Sequence, residues 1–214
     1  MVNKNHEGIA VISKPGIRVT KMPLKLCVTT FEYLCHRATT GSTSTILIVM
    51  YRPGSVSPSL AFFAKFTTRL KLMSSFSLLV TITADVNTHL QNQNEANTKK
   101  ISVIINVFGM GQVQHVLLPT HEHGDILDIV ISSSGRPTAR IAVDDVGLSD
   151  HMLMSWTVNT LDAKLFFCQT PVGGDLIFSM LLLGADFIFA NLPPGADLFF
   201  EPGKRRDPSR ASCL

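Results

Sequence analysis

Ile46-Leu-Ile-Val-Met-Tyr51 is a continuous apolar run stopped by Arg52-Pro53-Gly54. A run of this length closed by a Pro-Gly turn reads as a strand buried on both faces. Just beyond it, Ser59 opens Leu60-Ala-Phe-Phe-Ala-Lys-Phe-Thr-Thr-Arg-Leu70, with apolar positions at helical spacing and Ser59 as its cap. Phe76 to Ile82 is a second buried strand, ending at Asp85-Val-Asn87. Strand, helix and strand in succession point to a mixed α/β layered domain.

Working outward, Ile9 to Ile12 predicts a short strand closed by Lys14-Pro15-Gly16, and Val28 to Tyr33 predicts another. Gln91 to Lys100 is dense in Asn and Gln and reads as a loop, followed by a helix from Lys100 to Phe108. Val113–Leu118, Ile126–Ile131, Ala139–Val143 and Met152–Val158 read as strands. After about Leu161, Phe, Leu and Gly-Pro turns dominate without a clear period. The expected organisation is a domain over residues 1–160, then a divergent apolar segment and a basic, disordered tail over 161–214.

Composition narrows the classes. Hydrophobic residues make up 45% and charged residues 16% of the 214, which excludes disorder over most of the chain. Nineteen Lys and Arg against 16 Asp and Glu give a formal charge of +3, permissive for DNA and no more. The longest apolar candidate, Leu176 to Leu192, is broken by Gly184, Asp186 and Asn191 and is too short for a membrane helix. The polar start Met1 to Gly8 is no secretory signal. Cys27, Cys35, Cys168 and Cys213 are widely spaced, which favours reduced thiols. A nuclear or cytoplasmic protein, not secreted and without a membrane partner, is expected.

Four short patterns fall at the ends of expected strands: Tyr51-Arg-Pro-Gly54, Asp85-x-Asn87, Leu127-Asp128 and Ser149-Asp150-His151. Each alone is an ordinary cap, turn or core residue. Together they place a phenol, an Asp/Asn pair, a lone Asp and an Asp-His pair where active sites of layered α/β domains collect. These groups suit phosphodiester hydrolysis. Asp85 could take a proton from attacking water, with Asn87 orienting water or phosphate. His151, oriented by Asp128, could donate to a phosphate oxygen. Asp150, a hard oxygen ligand, suits Mg²⁺.

The stretch Ile46 to Gly54, Phe62-Phe63, Thr83-Ala-Asp-Val-Asn-Thr-His-Leu90, Leu118-Pro-Thr-His121, Gly124-Asp-Ile-Leu-Asp-Ile-Val-Ile-Ser132 and Leu148-Ser-Asp-His-Met-Leu-Met-Ser-Trp156 resembles the endonuclease domain of LINE-type non-LTR retrotransposons. That domain belongs to the apurinic-endonuclease-like endonuclease/exonuclease/phosphatase superfamily. The resemblance runs from about Gly8 to Trp156. It implies an α/β fold with a two-layer β-sandwich flanked by helices, and Mg²⁺-assisted nicking of DNA. It places Tyr51, Asp85, Asn87, Asp128 and His151 at catalytic positions and Asp150 at a metal position. Arg52 and His89 are the expected nucleic-acid contacts.

The sequence departs from the family in two places. Ala84 stands where the family carries Gly before the Asp, so that loop is expected to be strained or reshaped. The family's first two strands, bearing an Asn and a metal-binding Glu, have no counterpart, and neither Glu7 nor Glu32 replaces that Glu. The fold is therefore expected to be incomplete at the N-terminus. An uncovered sheet edge would promote self-association unless part of Phe166 to Phe200 folds over it. The expected function is a retrotransposon-derived Mg²⁺-dependent DNA endonuclease impaired by the missing Glu. The alternatives are a catalytically dead binding remnant and a phosphoesterase of the same superfamily. Val143-Asp144-Asp145 lies inside the endonuclease match and does not mark a polymerase, and His121-Glu-His123, a possible metal pair, reads as a turn instead.

Overall fold

The computed structural model describes residues 8–13, 16–24, 30–108, 116–133, 141–147, 150–158, 163–171, 177–183 and 197–202. The expected tail over Pro202 to Arg210 lies, beyond its first residue, outside the described residues, as do Cys27 and Cys213. The elements in chain order are β1 (Gly8–Ser13), β2 (Arg18–Lys21), β3 (Glu32–Thr40), β4 (Thr43–Tyr51), α1 (Leu60–Met73), β5 (Leu79–Asp85), α2 (Ala96–Val107), β6 (Asp128–Ser132), β7 (Ala142–Asp144), β8 (Leu153–Val158), β9 (Ala163–Pro171), β10 (Ile177–Leu183) and β11 (Asp197–Pro202). They form a five-stranded sheet of order β2-β3-β4-β5-β6 and a six-stranded sheet of order β11-β1-β10-β9-β8-β7.

Alternation along β4 decides how these layers stack. Leu47, Val49 and Tyr51 join one buried cluster with Val11, Leu34, Val130, Met154, Trp156 and Phe167, which binds the two sheets face to face. Ile46, Ile48 and Met50 point the other way, into a cluster with Phe62, Phe66, Leu70, Ile101 and Ile105 of the helices. The run is thus buried on both faces because one side meets a sheet and the other meets α1 and α2. The fold is a mixed α/β sandwich.

Ser59 caps α1 as expected, its Oγ accepting from Phe62 N at 3.2 Å. The second helix begins at Ala96 rather than Lys100. Thr98 is buried in its first turn and donates its Oγ1–H to His89 O at 3.1 Å, so a polar residue is spent inside the fold. The strand expected at Val28–Tyr33 lies further on, at Glu32–Thr40, paired with β4 from Glu32↔Tyr51 to Thr40↔Thr43. Thr and Ser at the hairpin end disguised it, since that end carries no buried apolar side chain. Likewise β5 starts and ends three residues later than the apolar run, because Thr81 and Thr83 face the buried inter-sheet side. Of Val113–Leu118, the first three residues lie outside the described residues and 116–118 form no strand.

The edge expected beside the first strand is covered. β10 pairs with β1 in parallel, Val11 opposite Leu181, and β11 pairs on the other side, Val11 opposite Phe199. The segment after Leu161 therefore supplies three strands of the sheet that β7 and β8 begin.

Candidate active site

Strand pairing builds the site in a row. Tyr51 is opposite Asp85 in the parallel pair, and Asp85 is opposite Asp128 in the antiparallel pair. Neighbouring strands lie about 4.8 Å apart, so the three side chains stand side by side. All three alternate with residues of the helix-side core and so face the other sheet. Tyr51 itself is part of the inter-sheet core. Glu32 extends the row on the far side of Tyr51.

Beyond Asp85 the chain turns through Asn87, whose φ of 47° is the only left-handed value at a non-glycine among the described residues. Asn tolerates that region better than most side chains. Of the two outcomes expected for the loop at Ala84, strain does not fall on Ala84, which lies inside β5, buried against the helices, and the left-handed turn falls on Asn87. Asn87 N donates to Asp85 Oδ1 at 2.8 Å, and Asn87 Nδ2 donates to Asp85 Oδ2 at 2.7 Å and to Arg52 O at 2.7 Å. Both amide protons are thus committed to the chain, and Asn87 acts on Asp85 by orienting its carboxylate.

Arg52 is buried and fastens this loop to the one after β4. Its Nε donates to Val86 O at 2.6 Å, and Nη1 donates to Pro53 O at 3.0 Å and Val56 O at 2.6 Å. Its Nη2 donates to Asn87 O. Burial pulls the guanidinium pKa below its ordinary value, opposed by the charges of Asp85 and Tyr51. The guanidinium thus faces four carbonyls of its own chain. The other expected nucleic-acid contact, His89, is more than half exposed and pairs through Nδ1 with Asp125 Oδ1 at 3.0 Å.

On the opposite wall, His151 Nδ1 lies 3.1 Å from Asp128 Oδ2, both side chains buried. Thr120 Oγ1 accepts from Leu127 N at 3.0 Å and from Asp128 N at 3.3 Å, fixing the start of β6. His121 and His151 form a β-bridge, closed by Met152 N to Thr120 O and Glu122 N to Asp150 O, each 2.8 Å. Their rings meet edge to face with centroids 5.1 Å apart. His121 Nε2 lies 3.4 Å from Asp150 Oδ2, whose side chain is 60% exposed at the mouth.

Burial alone would lower the pKa of His151. The hydrogen bond to Asp128 and the charges of Asp128, Asp85 and Asp150 outweigh it and push the value up to about 9. Asp128 Oδ2 serves the imidazole, while Oδ1 is buried with no hydrogen-bond partner among the described residues. Asp85, Asp128 and His151 offer ligand atoms within 4.8 Å of one another, as do His121, Asp150 and His151. A buried carboxylate oxygen left over beside a second carboxylate fits a divalent cation.

The chain is similar to a retrotransposon endonuclease domain. The solved structure is the endonuclease domain of TRAS1, a telomere-specific non-LTR retrotransposon, at 10% identity and a TM-score of 0.49. The likeness covers 70% of this chain and 98% of that one. No family model and no curated protein matches the sequence.

The structure thus brings Asp85, Asn87, Asp128 and His151 together, sets Asp150 beside them at the mouth, and seats Tyr51 in the core next to Asp85. Residue-by-residue reading missed Thr120 as a site residue and took His121, weighed with His123 as a metal pair, for part of a turn. Their signal was present in Leu118-Pro-Thr-His121, where a buried Thr precedes a His by one position, but no period or charge marked it. No helix among the described residues is long and apolar enough to cross a membrane.

Proposed function

We propose that this chain is a retrotransposon-type DNA endonuclease domain that hydrolyses phosphodiesters at the Asp85–Asp128–His151 pocket. The observation that carries the reading is the buried Asp128–His151 pair facing a second carboxylate, Asp85, whose two oxygens are both held by Asn87. Asp85, its carboxylate oriented by Asn87, takes the proton of the attacking water. His151, held by Asp128, donates from its other ring nitrogen to a phosphate oxygen as charge builds there. Arg52 and Tyr51 act one step back, Arg52 by anchoring the Asn87 loop and Tyr51 by packing beside Asp85.

Magnesium would be held by carboxylate oxygens of Asp128 and Asp85, with Asp150 as the third acid at the mouth. Bound there, it would neutralise charge on the scissile phosphate. These 214 residues carry no match to the family's Asn and Glu, so the activity proposed for this stretch alone is a weakened one. The substrate is DNA, with His89 at the rim as a contact.

The test is nicking of supercoiled plasmid compared with release of phosphate from inositol phosphates. Slow nicking that falls at least tenfold in both Asp85→Ala and His151→Ala supports the endonuclease reading. Equal nicking by wild type and both variants, or preferential phosphate release, overturns it.

A further inference from the structure

We infer that Gln169 of β9 and Ser179 of β10, on the six-stranded sheet across from Asp85, form a second wall of the pocket and bind the non-bridging oxygens of a phosphate. The inference rests on strand register. Along β9, Leu165 and Phe167 belong to the inter-sheet core, so alternation puts Gln169 on the same inner face. Ser179 is the register partner of Gln169 on one side and, on the other, of Ile9, a further residue of that core.

Two successive rows on this face differ in kind. One reads Val11, Leu181, Phe167 and Met154 across four strands and is apolar throughout. The next reads Ile9, Ser179 and Gln169, two of them polar. The polar row lies at the His151 end of the sheet. Met154 is opposite Phe167, so two steps further on Gln169 is level with Met152, the residue after His151.

Strand order fixes what this row faces. β10 packs against β4, and His151, at the entry to β8, is bonded to Asp128 of β6. β9 runs between β10 and β8 just as β5 runs between β4 and β6, so β9 lies over β5. Gln169 therefore stands across from Asp85, and a polar row on one sheet meets a polar row on the other. Packed sheets are about 10 Å apart. Polar groups enclosed there need partners, because burying them unpaired is costly. The five-stranded side brings two carboxylates, Asp85 and Asp128. A carboxamide and a hydroxyl on the opposite wall add uncharged donors, which is what an oxyanion needs in order to rest beside two acids. That the phosphate held there is the scissile one rests on the proposed function; the binding itself does not.

The test titrates the 214-residue chain with inorganic phosphate in millimolar Mg²⁺ and follows the rise in melting temperature. Saturable stabilisation is expected, with the apparent affinity weakened about tenfold in Gln169→Leu and less in Ser179→Ala. Thr170→Val, one step along β9 and on the opposite face, should bind phosphate as the wild type does. No saturable stabilisation, equal affinity of wild type and Gln169→Leu, or equal weakening by Thr170→Val overturns the site. Circular dichroism separates lost binding from lost folding. A Gln169→Leu chain that unfolds is replaced by Gln169→Glu, whose charge should repel phosphate, under the same criterion. Plasmid nicking reports on hydrolysis separately. Nicking that depends on Asp85, with phosphate affinity unchanged in Gln169→Leu, removes this wall and keeps the proposed function. Phosphate bound through Gln169 without any nicking does the reverse.

Discussion

A Cβ placed on Gly54 falls 2.6 Å from Asn87 Oδ1, so the turn after β4 and the turn after β5 are built against each other. The contact explains the Gly of Tyr51-Arg-Pro-Gly54 without appeal to its own backbone, since it makes room for the amide that holds Asp85. Gly54→Ala must move Asn87, whose left-handed backbone leaves little slack. The expected cost is about 1–3 kcal/mol in denaturant unfolding, with activity reduced more than Asn87→Ala alone would predict from stability. An unchanged midpoint would mean that the two loops move apart freely.

Arg52 gives a second, larger effect. Arg52→Met strips the donors from the Val86 carbonyl, in a buried bond, and from the Pro53, Val56 and Asn87 carbonyls, in part-buried ones. A buried acceptor left unsatisfied costs about 1–3 kcal/mol and the part-buried ones less, so a loss of about 3 kcal/mol is expected. Arg52→Lys should recover only part, because an ammonium cannot reproduce the planar fork. Equal stability of the Lys and Met variants in urea titrations would show that the fork geometry does not matter.

The Asp128–His151 pair makes stability depend on pH with a fixed sign. The folded pKa of about 9 lies above the ordinary histidine value near 6.5. Protonated His151 therefore stabilises the fold fully below about pH 6.5, and the contribution fades as pH rises through 9. A wild-type protein that loses on the order of 2 kcal/mol between pH 6.5 and 9.5, relative to His151→Gln measured in chelator, is expected. Parallel pH profiles for the two proteins would remove the pair from the stability of the fold.

How much of this was legible depends on what each residue faces. The Ile46 to Tyr51 run announced its strand because both faces bury carbon. The Thr-Ser hairpin of β3 and β4 did not, since composition cannot tell a solvent-facing strand end from a loop. Asp85 and Asp128 could be found as strand-end acids, but their adjacency follows from pairing register, which sequence spacing does not contain. Arg52 shows the same limit, since its carbonyl partners at Val86 and Asn87 lie 34 and 35 positions away and no local pattern announces them.

Arg69 on α1 is a different sort of buried charge. It is fully enclosed, with Cζ 3.9 Å from the Tyr33 ring centroid, and none of its nitrogens has a hydrogen-bond partner among the described residues. Beside it Cys35 is pushed up to about 11 by burial, against the lowering influence of the Arg69 charge. A stacked guanidinium recovers about 2 kcal/mol from the ring, less than the cost of burying a charge without acceptors. Arg69→Met, close in volume and apolar, should raise the melting temperature by a few degrees. A fall in melting temperature would show that the cation–π contact outweighs desolvation.

The last expectation concerns rate, where the retained and missing groups pull apart. On the proposed reading, Asp85, held by Asn87, and His151 still act on water and phosphate in this chain. The metal depends more steeply on its ligands, because Mg²⁺ needs near-octahedral oxygen ligation and is held by few carboxylates plus substrate. Lacking the family's Glu, the site should bind the ion weakly and leave charge on the phosphate poorly neutralised. Metal ions contribute several kcal/mol to such stabilisation, and each 1.36 kcal/mol is tenfold in rate. Nicking of supercoiled plasmid by the 214-residue chain is therefore expected roughly 10² to 10⁴ below that of a retrotransposon endonuclease carrying the Glu. It should rise with Mg²⁺ without saturating in the low millimolar range, and Asp85→Ala should remove what remains. Fast nicking at 1 mM Mg²⁺ that disappears in Asp150→Ala would show that Asp85, Asp128 and Asp150 suffice to hold the metal, and that the Glu is dispensable in this fold.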